Sequence, residues 1–134
     1  MDCIFCKIIE GELPCYKIYE DKRIIAILDI NPVNKGHLLI LPKEHYLNFL
    51  EAPKDLLKDL VSVSQDLVKA TMEAVGATGF NLIINNGKAG GQLVDHLHLH
   101  LIPRFIDDKL HPWAGKALSD EEMRRVMENI KKII

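Results

Sequence analysis

Apolar and polar residues alternate without a break from His96 to Leu101, in the run His96-Leu97-His98-Leu99-His100-Leu101. A period of two belongs to a β-strand, with the three histidines on one face and the three leucines on the other. This strand is expected over His96 to Ile102. Elsewhere the period changes. Leu56, Leu57, Leu60, Val61, Val63, Leu67, Val68, Thr71 and Val75 recur at helical spacing, so Lys54 to Val75 reads as a long helix between Pro53 and Gly76. Short helical character is expected over Cys3 to Glu10, closed by Gly11 and Pro14. Cys15 to Tyr19, Arg23 to Ile30, His37 to Leu41 and Phe80 to Asn85 read as further strands, separated by breaker-rich segments. Ser119 to Glu122 forms a capping box ahead of Met123, Val126, Met127, Ile130 and Ile133.

These elements predict an α+β fold: an antiparallel sheet of about five strands, covered by the long helix and followed by a C-terminal helix. No repeat, low-complexity tract or long linker interrupts the chain. One domain is therefore expected over residues 1–134, with its core at 3–104 and an extension at 105–134. The long helix is apolar over more than one narrow stripe, and Phe80 to Ile84 has few polar residues. A second buried surface is expected, for which a two-fold homodimer is the commonest solution.

Composition narrows the function. With 134 residues, 48% of them hydrophobic, the chain is long enough to bury a core. A net charge of −2 offers no basic footprint for a nucleic-acid polymer. The longest apolar run, Arg23 to Ile30, is too short to cross a membrane. Met1 to Lys7 lacks the basic start and apolar stretch of a signal peptide. Three cysteines, two of them as Cys3-x-x-Cys6, suit a reducing compartment, and a cytoplasmic protein is expected.

The chemistry concentrates in two places. Leucine alone would build the alternating strand, so its histidines call for a separate reason. Imidazoles in a row bind metal, attack phosphorus or carbon, or move protons near neutral pH. Asn85, Gly90, Gly91, Gln92, His98 and His100 meet if the last two strands form a hairpin. Paired glycines let backbone N–H groups approach an anion, while Lys88 and Arg104 add positive charge. A phosphate group is the expected ligand, and His98 the natural nucleophile. A hairpin loop with purely conformational glycines would leave the histidines unexplained. The second place is Cys3 and Cys6, a half-site for tetrahedral Zn²⁺ that His45 and His96 complete as a closed structural site. Short cysteine pairs also occur as redox dithiols or small buried residues. Cys15 reads as a core residue. A rival assignment, a catalytic Zn²⁺ held by the three histidines with bound water as nucleophile, leaves the cysteine pair and the glycine loop without roles.

His96-Leu-His98-Leu-His100-Leu-Ile resembles the signature of the histidine triad (HIT) superfamily. The resemblance runs through Ile4-Phe5-Cys6-Lys7-Ile8-Ile9, Asp29-Ile30-Asn31-Pro32, Gly36-His37-Leu38-Leu39-Ile40, Pro42-Lys43-Glu44-His45, Asn85-Asn86-Gly87 and Gly90-Gly91-Gln92. It covers roughly residues 3 to 104 and is nearest to the Hint and prokaryotic Hit-like branch. It implies a homodimer that binds purine nucleoside monophosphates and cleaves phosphoramidates or acyl-nucleotides at the α-phosphorus through a nucleotidyl-histidine. His98 then corresponds to the nucleophile, His100 to a phosphate ligand and proton handler, and Asn85 to a phosphate-side contact. Gly91, Gln92 and Val94 correspond to the phosphate loop, Asp29 to the ribose ligand, and His37 to a histidine behind the triad. Ile4, Phe5, Ile8, Ile27, Leu28 and Ile30 correspond to the base pocket. In zinc-bearing relatives the ligand positions match Cys3, Cys6, His45 and His96. Leu93 departs from the pattern, since Hint proteins often carry a serine there. The resemblance also admits a Fhit-like dinucleoside polyphosphate hydrolase or a nucleotide-binding regulatory module with little catalysis.

Overall fold

A computed structural model describes residues 2–134. Its elements are α1 (Ile4–Ile9), β1 (Lys17–Glu20), β2 (Ile24–Leu28), β3 (Leu38–Pro42), α2 (Lys54–Val75), β4 (Gly79–Ile84), β5 (Leu99–Arg104) and α3 (Asp120–Ile133). The strands form one antiparallel sheet in the order β1-β2-β3-β5-β4. The β1–β2 turn is tied by Asp21, whose carboxylate accepts from the backbone N–H of Arg23 and of Ile24 and from the Tyr19 hydroxyl.

Strand β3 is buried along its whole length because the sheet is covered on both sides. On one face Ile24, Ala26, Leu38, Ile40, Leu99 and Leu101 pack with Leu56, Leu60, Leu67 and Val68 of α2. Ile25, Ile27, Leu39 and Leu41 turn the other way, against Cys3 and Phe5. Each large side chain removed from water contributes about 1.5–3 kcal/mol, so both faces hold the sheet rigid. α2 starts after Pro53 and ends at Gly76, which takes the left-handed conformation at φ +73°.

Most strand boundaries shift by one to three residues from expectation, and three of the shifts have consequences for the chemistry-bearing residues. β5 begins at Leu99, so His96 and His98 lie outside the ladder. Pro42 ends β3 and has no N–H to donate, while its carbonyl is taken by the His96 ring; the Leu97 N–H bonds the Tyr46 carbonyl instead. β2 stops at Leu28: the Asp29 N–H still bonds the His37 carbonyl in register, but the His37 N–H turns to the Asn34 carbonyl and the reciprocal ladder bond is not made. β1 begins at Lys17, leaving Cys15 in the connection before it.

Arg104 also departs from its expected place beside a phosphate. Its guanidinium is held by both carboxylate oxygens of Asp108, by the Leu110 carbonyl and by Asn81. That carboxylate further accepts from Asn34 and from the N–H groups of Phe105 and Leu110, anchoring the start of the C-terminal segment. Ser119 caps α3 by accepting from the Glu122 N–H. No described helix is long and apolar enough to cross a membrane.

Candidate active site and adjoining metal-ligand cluster

Between α1 and the face of the sheet opposite α2 lies a cavity of about 630 Å³. α1 supplies Ile4, Phe5 and Ile8; β2 and the turn after it supply Ile27, Leu28, Asp29 and Ile30. His37, Asn85, Gly91, Val94, His98 and His100 line the rest. The walls are therefore mostly apolar, with a few polar groups among them, the usual build of a site for an amphiphilic small molecule. Leu93, the departure from the family pattern, also lines it, as do Leu13, Pro14, Cys15, Asn31, Val33 and Leu39, which sequence reasoning passed over as site residues. Cys15 thus lines the cavity as a half-buried residue rather than filling the core. The only available signal was its place directly after Pro14, at the very start of the expected strand.

Gln92 does not reach the cavity. Its side-chain N–H groups donate to the Leu47 and Val94 carbonyls, and its oxygen accepts from the Gly87 N–H. It braces the glycine loop from inside and has no group left for a phosphate. The N–H groups of Gly90, Gly91 and Gln92 are likewise spent within that turn. Among the described residues, those of Leu93 and Val94 have no protein acceptor, so any anion-binding backbone lies slightly further along than expected. Lys88 is absent from the lining.

Backbone groups set the histidine tautomers. His98 Nδ1 lies 2.7 Å from the His96 carbonyl, which can only accept. Nδ1 therefore carries the hydrogen and Nε2 keeps its lone pair. His37 is the mirror case: its Nδ1 accepts from the Val33 N–H at 3.0 Å, so Nε2 carries the hydrogen. That hydrogen goes to His100 Nδ1 at 2.9 Å, leaving His100 Nε2–H as a donor. The site thus pairs one imidazole lone pair with one imidazole N–H, without any change of protonation.

Burial favours the uncharged ring at each position. It lowers the pKa of His37 and of His98. For His100, burial followed by the neighbouring His98 and His37 pushes the value down to about 4. Asp29 completes the polar groups. One carboxylate oxygen accepts from the Asn31 N–H at 2.8 Å, and the other lies 3.6 Å from His37 Nε2.

The first histidine of the row serves a different place. His96 is fully buried and its Nε2 donates to the Pro42 carbonyl at 2.8 Å, leaving the Nδ1 lone pair free. That atom lies 3.5 Å from Cys3 Sγ, 3.6 Å from Cys6 Sγ and 3.2 Å from His45 Nδ1, and Cys6 Sγ is 3.4 Å from His45 Nδ1. Metal–ligand lengths of about 2.0–2.1 Å to nitrogen and about 2.3 Å to sulfur set tetrahedral donor edges of roughly 3.3–3.8 Å. The cluster has that scale and a Cys₂His₂ donor set, and is compatible with zinc. Burial, then the adjacent Cys3, pushes the Cys6 thiol up to about 11. A dication would reverse this by stabilising the thiolate.

Asp29, His37 and His100 also bring possible ligand atoms together. Here the two rings meet nitrogen to nitrogen, with centroids 5.2 Å apart for a 2.9 Å contact. That head-on approach is a hydrogen bond. In the cysteine cluster the centroids are only 4.9 Å apart for a longer 3.2 Å contact, so those lone pairs converge on a point off the line between them.

The family model for the HIT domain matches residues 10–107. The chain is 44% identical over 123 residues to adenylylsulfatase HINT3 of Arabidopsis thaliana, covering 92% of this chain and 61% of that protein's length. It is 38% identical over 136 residues to adenosine 5'-monophosphoramidase hnt1 of Schizosaccharomyces pombe, covering 100% and 99% of the two chains. A zinc-bound histidine triad family protein from Mycobacterium smegmatis superposes with a TM-score of 0.79 at 35% identity, over 100% of this chain and 99% of that one.

Proposed function

The chain belongs to the HIT domain family, and on that footing we propose that it hydrolyses purine nucleoside phosphoramidates or acyl-nucleotides at the α-phosphorus. The observation that carries the proposal is the His98 tautomer: Nδ1–H is bound to the His96 carbonyl, so Nε2 is a neutral nucleophile at the cavity wall. Nε2 attacks phosphorus, the bond to the leaving nitrogen breaks, and that nitrogen departs as an amine with a proton from solvent or through His100. Water then attacks phosphorus and gives up a proton to solvent, the P–Nε2 bond breaks, and its electron pair returns to His98. His100 Nε2–H, Asn85 and the N–H groups of Leu93 and Val94 hold the charge on the non-bridging oxygens. Asp29 binds the ribose hydroxyls. Ile4, Phe5, Ile8, Ile27, Leu28 and Ile30 hold the base. Two successive displacements retain configuration at phosphorus.

Cys3, Cys6, His45 and His96 would hold one zinc ion, which supplies a cross-link rather than a reactive centre because all four positions are filled by protein. The chain acts as a homodimer, an assignment supported by exposed Phe80 and Leu82 on the edge strand β4 and by exposed Val61 on α2. Sedimentation as a monomer at micromolar concentration refutes it. Cysteines in the cluster that form no disulfide suit a reducing cytoplasm.

A second substrate class is favoured by one observation, the name adenylylsulfatase borne by the 44% identical relative. Turnover of adenosine phosphoramidate, adenosine phosphosulfate and a diadenosine polyphosphate by the native chain and by His98→Ala separates these readings. Phosphoramidate turnover that vanishes in His98→Ala supports the proposal, and preferred turnover of the phosphosulfate that does so favours the second class. Preference for the diadenosine polyphosphate favours the Fhit-like alternative. No turnover with retained AMP binding favours a regulatory module.

A further inference from the structure

Helix α1 has six residues, too few to hold a helix in water without outside support. It nevertheless builds two sites at once. Ile4, Phe5 and Ile8 form a wall of the cavity, while Cys3, its N-cap, and Cys6, one turn on, belong to the metal-ligand cluster. Phe5 lies between the two, its ring 5.9 Å from that of His96 and 5.0 Å from that of His98.

The attachment of this helix is sparse. Its backbone hydrogen bonds stay within residues 3–13. Among the described residues, and apart from the exposed ion pair of Lys7 with Asp2 just before the helix, the polar links from this segment to the rest of the chain are the contacts of Cys3 and Cys6 with His45 and His96. Apart from those, it rests on apolar packing, chiefly of Phe5 against Ile25, Ile27, Leu39 and Leu41. Whatever fixes the cysteine cluster therefore fixes the cavity wall.

We propose that zinc at Cys3, Cys6, His45 and His96 positions α1 as the wall of the nucleotide pocket, so that metal and nucleotide strengthen each other's binding. The inference rests on the nucleotide-binding reading above. Cys3 and Cys6 are positioning residues, acting through Ile4, Phe5 and Ile8. Because coupling between two ligands is reciprocal, AMP must raise zinc affinity by the same factor by which zinc raises AMP affinity. The effect falls on nucleotide affinity more than on the chemical step, since His96, whose carbonyl sets the His98 tautomer, is also held by the Pro42 carbonyl whether or not metal is bound.

The test uses the full chain, AMP as probe, and zinc affinity read by competition with a chromogenic chelator. Saturating AMP should tighten zinc binding about tenfold, and calorimetry should find AMP bound about tenfold more weakly by stripped than by zinc-loaded protein. Amide exchange in residues 3–10 should rise on stripping and fall again with AMP, while β2, β3 and β5 stay protected. Equal AMP affinity with and without zinc, or unchanged exchange in 3–10, overturns the coupling while leaving nucleotide binding intact. Loss of protection across the whole sheet on stripping also overturns it, because the metal is then a global staple. Failure of the zinc-loaded chain to bind AMP sinks the functional reading and the coupling together.

Discussion

Gly36 controls how closely the loop before β3 approaches the end of α2, and Gly36→Ala measures that control. The residue has φ +87°, and an added Cβ would lie 3.0 Å from Val75 Cγ1, 3.1 Å from Pro103 Cγ and 3.3 Å from Thr71 Cγ2. The left-handed backbone costs an alanine about 1 kcal/mol relative to glycine. Displacing three packed side chains costs about 1–3 kcal/mol more, giving roughly 2–4 kcal/mol in all. Gly76→Ala is the control: its φ of +73° carries a similar backbone penalty, but nothing lies within 4 Å of the added atom. Urea unfolding at fixed zinc, followed by far-UV circular dichroism, should show a markedly lower midpoint for Gly36→Ala than for Gly76→Ala, with similar slopes. Activity should fall too, because His37 follows directly and its N–H bonds the Asn34 carbonyl in the same turn. Equal destabilisation by the two substitutions would refute the close-approach argument.

Chelation of the native protein, or Cys6→Ala, should reduce zinc from one ion per chain to none by elemental analysis and lower the thermal midpoint. One zinc retained by Cys6→Ala would contradict the ligand assignment. His37→Phe keeps a ring but removes the N–H that orients His100, so kcat should drop on the order of 10- to 100-fold with less change in AMP affinity; unchanged kcat sinks that role. His37 and His100 have depressed folded-state pKa values, so the unfolded chain binds protons more readily. Their stability contribution is complete above pH 6.5 and declines as pH falls from 6.5 toward about 4 for His100, with the acid limb of kcat/KM lying below 6.5; stability that rises on acidification would contradict this.

Much of this architecture was legible beforehand because the strongest patterns are local. The periodicity of Lys54–Val75 identifies α2 to the residue, and alternation places His98 and His100 on the cavity side and Leu99 and Leu101 in the core. The family resemblance accounts for most of the lining. Long-range hydrogen bonding is what stays hidden. Nothing local says that the Pro42 carbonyl will claim the His96 ring and shorten β5, or that Gln92 will turn inward to brace its own loop. Arg104 looked free to meet a phosphate until Asp108, four residues on, closed around it. The tautomers depend on the Val33 N–H and the His96 carbonyl, backbone groups whose identity no side-chain pattern encodes.

The central claim is that His98 Nε2 forms a bond to phosphorus. Intact-protein mass spectrometry after rapid acid-free quenching of a reaction with adenosine phosphoramidate tests it directly, followed by peptide mapping. The account predicts a mass increase of one adenylyl group on the peptide carrying His98, absent from His98→Ala. Turnover by the native chain with no adduct under any trapping condition, or an adduct on another residue, would contradict it.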